Sequence, residues 1–377
     1  MKIGEWIARI TRLRSRRSRL VSGIRGSAYN LSTVKDARIR HSHGSRGWTA
    51  ALLLAAVAVG VSACSGEFPQ STLHPTADFS QQIDTLYRTI FWWALGVFVL
   101  VEAALLFVII RYRERPGSPE PRHIHGSTLL EVAWTLAPAV VLVFIAVPTI
   151  RTIFRTDGTA PEGALAVEVV GHQWWWEFHY PELGITTANE MHVPQGRPVA
   201  LSMTSKDVIH SFWVPKLGGK RDVMPGRTTR IAFTPDSIGE VYGQCAEFCG
   251  DSHANMRFRV VVDAPDEFER WSTGQLAGPT SVDSLSGPAQ AGAQVFMTKG
   301  CLACHTIEGR SAGVLGPNLT HLASRSTIAS GILPNDAEGL TRWLRDPPAE
   351  KPGSLMPKIP FTDDELAALV AYLRTLN

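Results

Sequence analysis

The sequence predicts a multidomain chain: a two-helix membrane hairpin, an all-β sandwich and an all-α C-terminal domain. Three observations carry this prediction. Two long apolar runs, Thr89 to Ile110 and Val132 to Ile150, lie close together. Short β-branched runs separated by Gly and Pro occupy the middle of the chain, from about Ala164 to Ala264. The part after Ala289 is helical in pattern. At 377 residues there is room for two or three domains.

The first element is a basic prefix. Residues 1–47 hold twelve Lys or Arg against two acids, whereas the remainder holds 25 against 32. The net +3 of the whole chain therefore hides a basic N-terminus and an acidic body, and does not argue for nucleic acid. An apolar segment, Ala50 to Val61, follows, and then Val61-Ser62-Ala63-Cys64. Charged region, short apolar region and small residues describe a signal peptide over 1–63. The Cys just after the cut resembles a bacterial lipoprotein signal, with Cys64 the acylated first mature residue. Each of the five cysteines, Cys64, Cys245, Cys249, Cys301 and Cys304, has a candidate lipid, metal or cofactor role, so no disulfide is expected.

The hairpin comes next, within residues 64–163. Thr89 to Ile110 has 22 residues with one charge, Glu102, and Val132 to Ile150 has 19 with none. A bilayer takes roughly 20 apolar residues, so both runs qualify as spans. The connecting loop holds Arg111, Arg113, Arg115 and Arg122 against Glu114 and Glu120. Excess basic residues mark the cytoplasmic side, which puts the outer ends of the hairpin on the periplasmic face of a bacterial plasma membrane. Trp92 and Trp93 suit the aromatic belt at that outer boundary. Thr128-Leu-Leu-Glu131 has capping-box spacing and opens the second span.

Residues 164–271 read as the β domain. Val167 to Val170, Val199 to Met203, Arg230 to Phe233 and Arg257 to Val262 alternate or are β-branched, with turn signals between them. Residues 272–288 are rich in Gly, Ser, Pro and Thr and read as a flexible linker of about 17 residues. The C-terminal domain occupies 289–377, and Thr362-Asp-Asp-Glu365 is a capping box ahead of its last helix.

Two motifs carry chemistry. Cys245-Ala-Glu-Phe-Cys249-Gly-Asp-Ser-His253-Ala-Asn-Met256 sets two thiols, an imidazole and a thioether at spacings of four, four and three. Thiolate and imidazole select copper, zinc or iron–sulfur, and the thioether favours copper, because zinc rarely takes Met. A second Cys where a mononuclear site has one suggests two coppers bridged by two thiolates. On a helix, Cys245, Cys249 and His253 would share a face and could bind zinc. Gly239, Gly243 and Gly250 argue instead for a loop between strands. A symmetric pair needs a second imidazole, for which His210 is the best candidate and His172, His179 and His192 are weaker ones. The other motif, Cys301-Leu-Ala-Cys304-His305, reads as c-type haem attachment with His305 as an axial ligand. After it the domain holds one Met, Met356, and one other His, His321. Met356, before Pro357 and ahead of the final helix, is the candidate sixth ligand.

Asp207-Val-Ile-His210-Ser-Phe-Trp213, Lys220-Arg-Asp-Val-Met-Pro-Gly226, Gly171-His-Gln-Trp-Trp-Trp176, Glu131-Val-Ala-Trp-Thr135 and the Cys245–Met256 run together resemble subunit II of haem–copper cytochrome c oxidases. With the haem motif behind them, residues 64 to 377 resemble the bacterial form that carries its own cytochrome c. The resemblance implies a two-helix transmembrane hairpin, an all-β cupredoxin-like sandwich with a dicopper CuA site, and a C-terminal all-α class I cytochrome c domain. It implies that Cys245 and Cys249 bridge the coppers, that His210 and His253 are terminal ligands, and that Met256 and the Glu247 carbonyl are the weak ones. The Glu247 side chain would face a magnesium site shared with subunit I. Trp174 would lie on the surface where cytochrome c delivers electrons. Strand alternation then points Trp175 away from Trp174 and Trp176. Glu131 would lie at the mouth of a proton pathway. The quinol-oxidase relatives lack these copper ligands.

The function implied is electron transfer in a proton-pumping terminal oxidase: from cytochrome c, or an upstream quinol–cytochrome c reductase, through haem c and the dicopper centre to subunit I. Oxygen reduction belongs to that other subunit, and the remaining oxidase subunits are further partners. A membrane-anchored copper-delivery protein and the electron-input subunit of a nitric oxide reductase are the alternatives. Metal and haemochrome assays on the purified chain should return two coppers and one covalently attached haem, whereas a single zinc would contradict the copper reading.

Overall fold

A computed structural model describes residues 68–117 and 125–377, together with 52, 54–60, 66 and 120. Cys64, Arg122 and the basic prefix lie outside the described residues, and of the expected signal segment 54–60 is helical. That segment belongs to a separate N-terminal unit, Met1–Gly66, and everything below belongs to Glu67–Asn377.

Helix α1 spans Asp78–Arg111 and helix α2 spans Thr128–Arg155, so each runs beyond the expected spans of 89–110 and 132–150. The extra length has a physical reason at the start of α1. Phe79 and Ser80 are buried, and the Ser80 hydroxyl donates to the Lys216 carbonyl at 2.6 Å. Phe79 lies against Gly218 and Gly219, where a Cβ would come within 3.4 and 3.3 Å of its ring. The first turn of α1 is thus a plug in the β domain, and the apolar stretch follows it. Trp93 stacks on Phe144 of α2 at 5.3 Å. No residue in the most apolar stretch of either helix is fully buried, which leaves an apolar surface suited to lipid. The expected capping box at Thr128 is one residue out of register: Ser127 is the N-cap, Thr128 is already helical, and no side chain caps the end. The Glu131 N–H is bonded to the Ser127 carbonyl at 2.9 Å, an ordinary first-turn helix bond.

The β domain is a sandwich built from β1 Leu165–His172, β2 Trp175–Tyr180, β3 Ile185–Ala188, β4 Glu190–Pro194, β5 Val199–Ser205, β6 His210–Trp213, β7 Arg221–Val223, β8 Thr229–Phe233, β9 Gly239–Cys245 and β10 Arg257–Asp263. One sheet has the order β3-β2-β1-β5-β8 and the other β4-β10-β9-β6-β7. Alternation puts Val167, Val169, Leu201 and Met203 of one sheet against Phe212, Val241, Phe258 and Val260 of the other. Gly239 and Gly243, expected in a loop, lie in β9. Gly243 faces inward, where a Cβ would sit 2.2 Å from the Phe258 ring. The glycine makes room for an aromatic cluster in which Phe258 stacks on Phe212 at 4.6 Å and meets Trp176 at 5.5 Å.

Helix α3, Pro265–Gln275, follows the sandwich and places Trp271 flat on His192 at 4.5 Å. It occupies the start of the expected 272–288 linker, and the rest is not a free tether. Val282 and Leu285 pack on the C-terminal core, and the Thr280 hydroxyl donates to the Thr375 carbonyl at 3.1 Å. Composition suggested flexibility, but two apolar residues in the stretch suffice to bind it down. The C-terminal domain contains α4 Gly287–Thr298, α5 Ala337–Arg345, α6 Pro347–Glu350 and α7 Asp363–Leu373, with two two-residue β ladders between them. Thr362 caps α7 reciprocally with Glu365, as its spacing predicts. Helices α4 and α7 cross at Gly292, where a Cβ would lie 1.9 Å from the Ala368 carbonyl oxygen. Gly292→Ala should therefore force the helices apart and cost about 1–3 kcal/mol, read as a lowered unfolding midpoint of the haem-loaded domain. An unchanged midpoint would show that the crossing relaxes freely.

Candidate metal centre

Strand β9 delivers Cys245 at its last residue, and the loop through Gly250 (φ +114) brings Cys249 back beside it. The two sulfurs are 3.8 Å apart, well beyond the ~2.05 Å of a disulfide, and each residue is only 4% exposed. On the Cys245 side, His210 Nδ1 lies 3.9 Å and the Glu247 carbonyl oxygen 3.3 Å from that sulfur. On the Cys249 side, His253 Nδ1 lies at 3.6 Å and Met256 Sδ at 3.8 Å. Two thiols lie in the middle, with one imidazole and one weak donor at each end, a set of soft donors that would suit copper. Within it, the ligand atoms of His210, Cys245 and Cys249 all lie within 4.8 Å of one another.

The charge distribution also suits a cation. The hydrogen bond from the Cys249 thiol, aided by His210, holds Cys245 down at about 3, and the Cys245 thiolate pushes Cys249 up. Two adjacent buried thiolates repel, so without a cation one sulfur keeps its proton. Asp207 Oδ1 lies 2.8 Å from His210 Nε2, which leaves Nδ1 free to ligate. Burial opposes a charge on His210, but Asp207 and Cys245 outweigh it and raise its pKa. The ring fits because residue 171 is glycine: a Cβ there would sit 2.8 Å from His210 Cδ2.

The C-terminal domain contains a cavity of about 480 Å³ lined by Cys301, Cys304, His305 and Met356. His305 Nδ1 donates to the Pro317 carbonyl at 2.9 Å, which leaves Nε2 as the nitrogen available to a ligand. Burial lowers the His305 pKa and keeps the imidazole neutral, as ligation needs. Gly316 clears the ring, since a Cβ there would be 2.6 Å from His305 Cε1. Met356 lines this cavity and His321 does not.

Trp174 joins the two sites. Its indole N–H donates to the Cys249 carbonyl at 3.0 Å, and Gln173 Nε2 donates to the same oxygen at 2.6 Å. Gln173, Trp174 and Trp175 also line the haem cavity. The sequence expects Trp174 at a surface. Instead the C-terminal domain covers it, leaving 8% exposed. Trp175 turns aside to stack on His172 at 4.1 Å, and Trp176 is core.

Three family models match the chain: cytochrome c oxidase subunit II, transmembrane domain, over residues 70–152; the periplasmic domain of the same subunit over 182–264; and cytochrome c over 289–377. Cytochrome c oxidase subunit 2 of Alkalihalophilus pseudofirmus is 37% identical over 83% of this chain and 93% of its own length. The chain belongs to the cytochrome c oxidase subunit II family. The Bacillus subtilis protein of the same name is 34% identical over 88% of this chain and 98% of its own. Among solved structures, the periplasmic domain of cytochrome oxidase subunit II from Bradyrhizobium japonicum is 32% identical, covering 31% of this chain and 96% of its own, with a TM-score of 0.30. The subunit II and cytochrome c domains imply a copper centre and a haem, and the donor sets above fit both groups.

In this subunit II chain the weaker histidine candidates have other partners. His172 and His179 both meet Glu177, at 3.0 and 3.4 Å, and His192 meets Asp263 at 2.8 Å. Glu247 and Glu131 present exposed side chains. Asp207 is a functional residue that motif spacing alone does not single out, although a carboxylate three residues before a candidate ligand His is a signal for a supporting hydrogen bond. The Pro317 carbonyl carries no such signal. Asp207→Ala should weaken copper binding by about 10–100-fold in a chelator competition titration. Unaltered affinity would show that His210 is oriented without it.

Proposed function

We propose that this chain is the electron-input subunit of a proton-pumping terminal oxidase, passing electrons from a cytochrome c donor through its fused haem c and dicopper centre to subunit I, where oxygen is reduced to water. One observation carries the proposal: Trp174 is at once a wall of the haem cavity and a hydrogen-bond partner of the Cys249 carbonyl in the copper loop. When bound, the haem and the copper pair each supply a one-electron carrier. The protein's part is to hold and orient. Asp207 and Pro317 point their ligand imidazoles. The buried cysteines and Met256 keep water from the copper ligands. A rigid ligand frame changes little between oxidation states, which favours rapid transfer.

The same reading places the copper and haem domains on the periplasmic face and the loop bearing Arg111 and Arg113 in the cytoplasm. Cys64 would be the acylated first mature residue. The exposed Glu247 carboxylate would contribute to a magnesium site with subunit I. Glu131, at the cytoplasmic end of α2, would stand at the mouth of a proton pathway.

The test is oxygen consumption by the purified membrane complex. Reduced cytochrome c should drive cyanide-sensitive uptake, and Glu131→Gln should slow turnover with both metal centres intact. A complex loaded with copper and haem that consumes no oxygen would overturn the proposal. Normal turnover in Glu131→Gln would remove the proton role alone.

A further inference from the structure

Lys351 is a buried amine that, among the described residues, has no carboxylate among the partners that hold it. Its Nζ donates to the Trp174 carbonyl at 2.5 Å, to the Ser330 hydroxyl at 2.7 Å and to the Ala329 carbonyl at 3.5 Å. Ser330 in turn donates to the same Trp174 carbonyl at 2.8 Å. Lysine and serine belong to the haem domain, whereas the carbonyl belongs to the copper domain. Burial pushes Lys351 down to about 7, so enclosing the ammonium is costly, and the oxygen cage offsets that cost.

The turn that presents Ser330 is strained. Ala329 (φ 54), Ser330 (φ 65) and Gly331 (φ 76) are consecutive left-handed residues, and for the two with side chains this backbone is unfavourable. Such strain persists where surrounding contacts enforce it, and here it aims a hydroxyl across the domain boundary.

The indole of Trp174 is gripped as well as its carbonyl. A Cβ at Gly250, in the copper loop, would be 3.0 Å from the ring, and a Cβ at Gly353, in the haem domain, 2.8 Å. Both glycines have positive φ. The ring lies between two backbones that approach this closely only because neither carries a side chain. Further bonds fasten the seam: Glu190 accepts from the Ser326 N–H at 2.9 Å and its hydroxyl at 2.6 Å, and Ser252 donates to the Pro352 carbonyl.

We propose that Lys351, with Ser330, is a positioning latch that docks the haem domain permanently on Trp174, closing this face of the copper domain to any second donor. The latch rests on the electron-relay reading for its purpose. The segment from Lys351 to Met356 both grips Trp174 and presents the haem's Met ligand, so docking and ligation share one loop. A soluble donor must then deliver to the haem domain rather than to Trp174.

The experiment compares the full membrane complex with Lys351→Leu and Ser330→Ala variants. Amide hydrogen exchange over residues 173–176 and 327–331 reports the dock independently of electron flow. Loss of a buried charge-assisted bond should speed exchange there by about tenfold or more in Lys351→Leu, and by less in Ser330→Ala. Single-turnover transfer from haem to copper should slow in parallel, in variants that still hold their haem and copper. Wild-type exchange and transfer in both variants would overturn the latch. If Lys351→Leu does not accumulate, Ser330→Ala decides by the same criteria. Protected exchange in a wild-type complex whose haem does not reduce its copper would defeat the relay reading and leave the latch standing.

Discussion

Two buried sulfurs 3.8 Å apart are the constraint on which the copper domain depends. Charges of one sign this close in a low-dielectric interior repel, so both sulfurs can be thiolates only when the backbone fixes them and a cation compensates them. The backbone does so from both flanks. The Cys245 N–H bonds to the Met256 carbonyl at 2.9 Å, and the Ala246 N–H to the Ser211 carbonyl at 2.9 Å, tying the loop to β6 and to the start of β10. Below it, Trp176, Phe212 and Phe258 form a rigid aromatic floor, made possible by the missing side chain of Gly243. Interiors packed in this way deform little, and a site held by them keeps its geometry when its charge changes.

Trp174 extends that constraint to the haem domain. Its side chain reports to the Cys249 carbonyl and its own carbonyl to Lys351 and Ser330, so the residue is held from both domains. The connecting segment strengthens the arrangement, because it is packed through Val282 and Leu285 rather than slack. A short connection alone would raise the effective concentration of donor beside acceptor. Here the seam of specific contacts adds an orientation. At the other end, Phe79 plugs α1 into the sandwich, so the apolar helices, copper domain and haem domain form a series of fixed joints.

Much of this was legible in the sequence. Rare ligand types at short spacing identify the copper loop, C-x-x-C-H marks the haem domain, and apolar runs and β-branched alternation place the helices and strands. The failures are equally specific. Gly243 suggests a loop but lies in a strand, because a glycine's role depends on what lies opposite, and Phe258 is distant in sequence. Thr128 has the spacing of a cap, but the helix begins one residue earlier, with Ser127 at the N-cap position and no side-chain bond from it, since neighbouring hydroxyl residues look equally good on paper. The linker's composition concealed two apolar anchors, and nothing in the pattern foretold helix α3 within its first residues.

The sequence by itself determined the candidate ligand residues, the order of the domains and the family to which the chain belongs, because each is written in local spacing or local periodicity. Only the tertiary structure decided which donor stands beside which sulfur, that Met356 and not His321 faces the haem cavity, and that Trp174 is covered rather than exposed. These outcomes rest on contacts between residues far apart in the chain, such as Trp174 with Ser330 and Lys351. Such contacts arise when two folded surfaces meet, and no stretch of sequence encodes them alone.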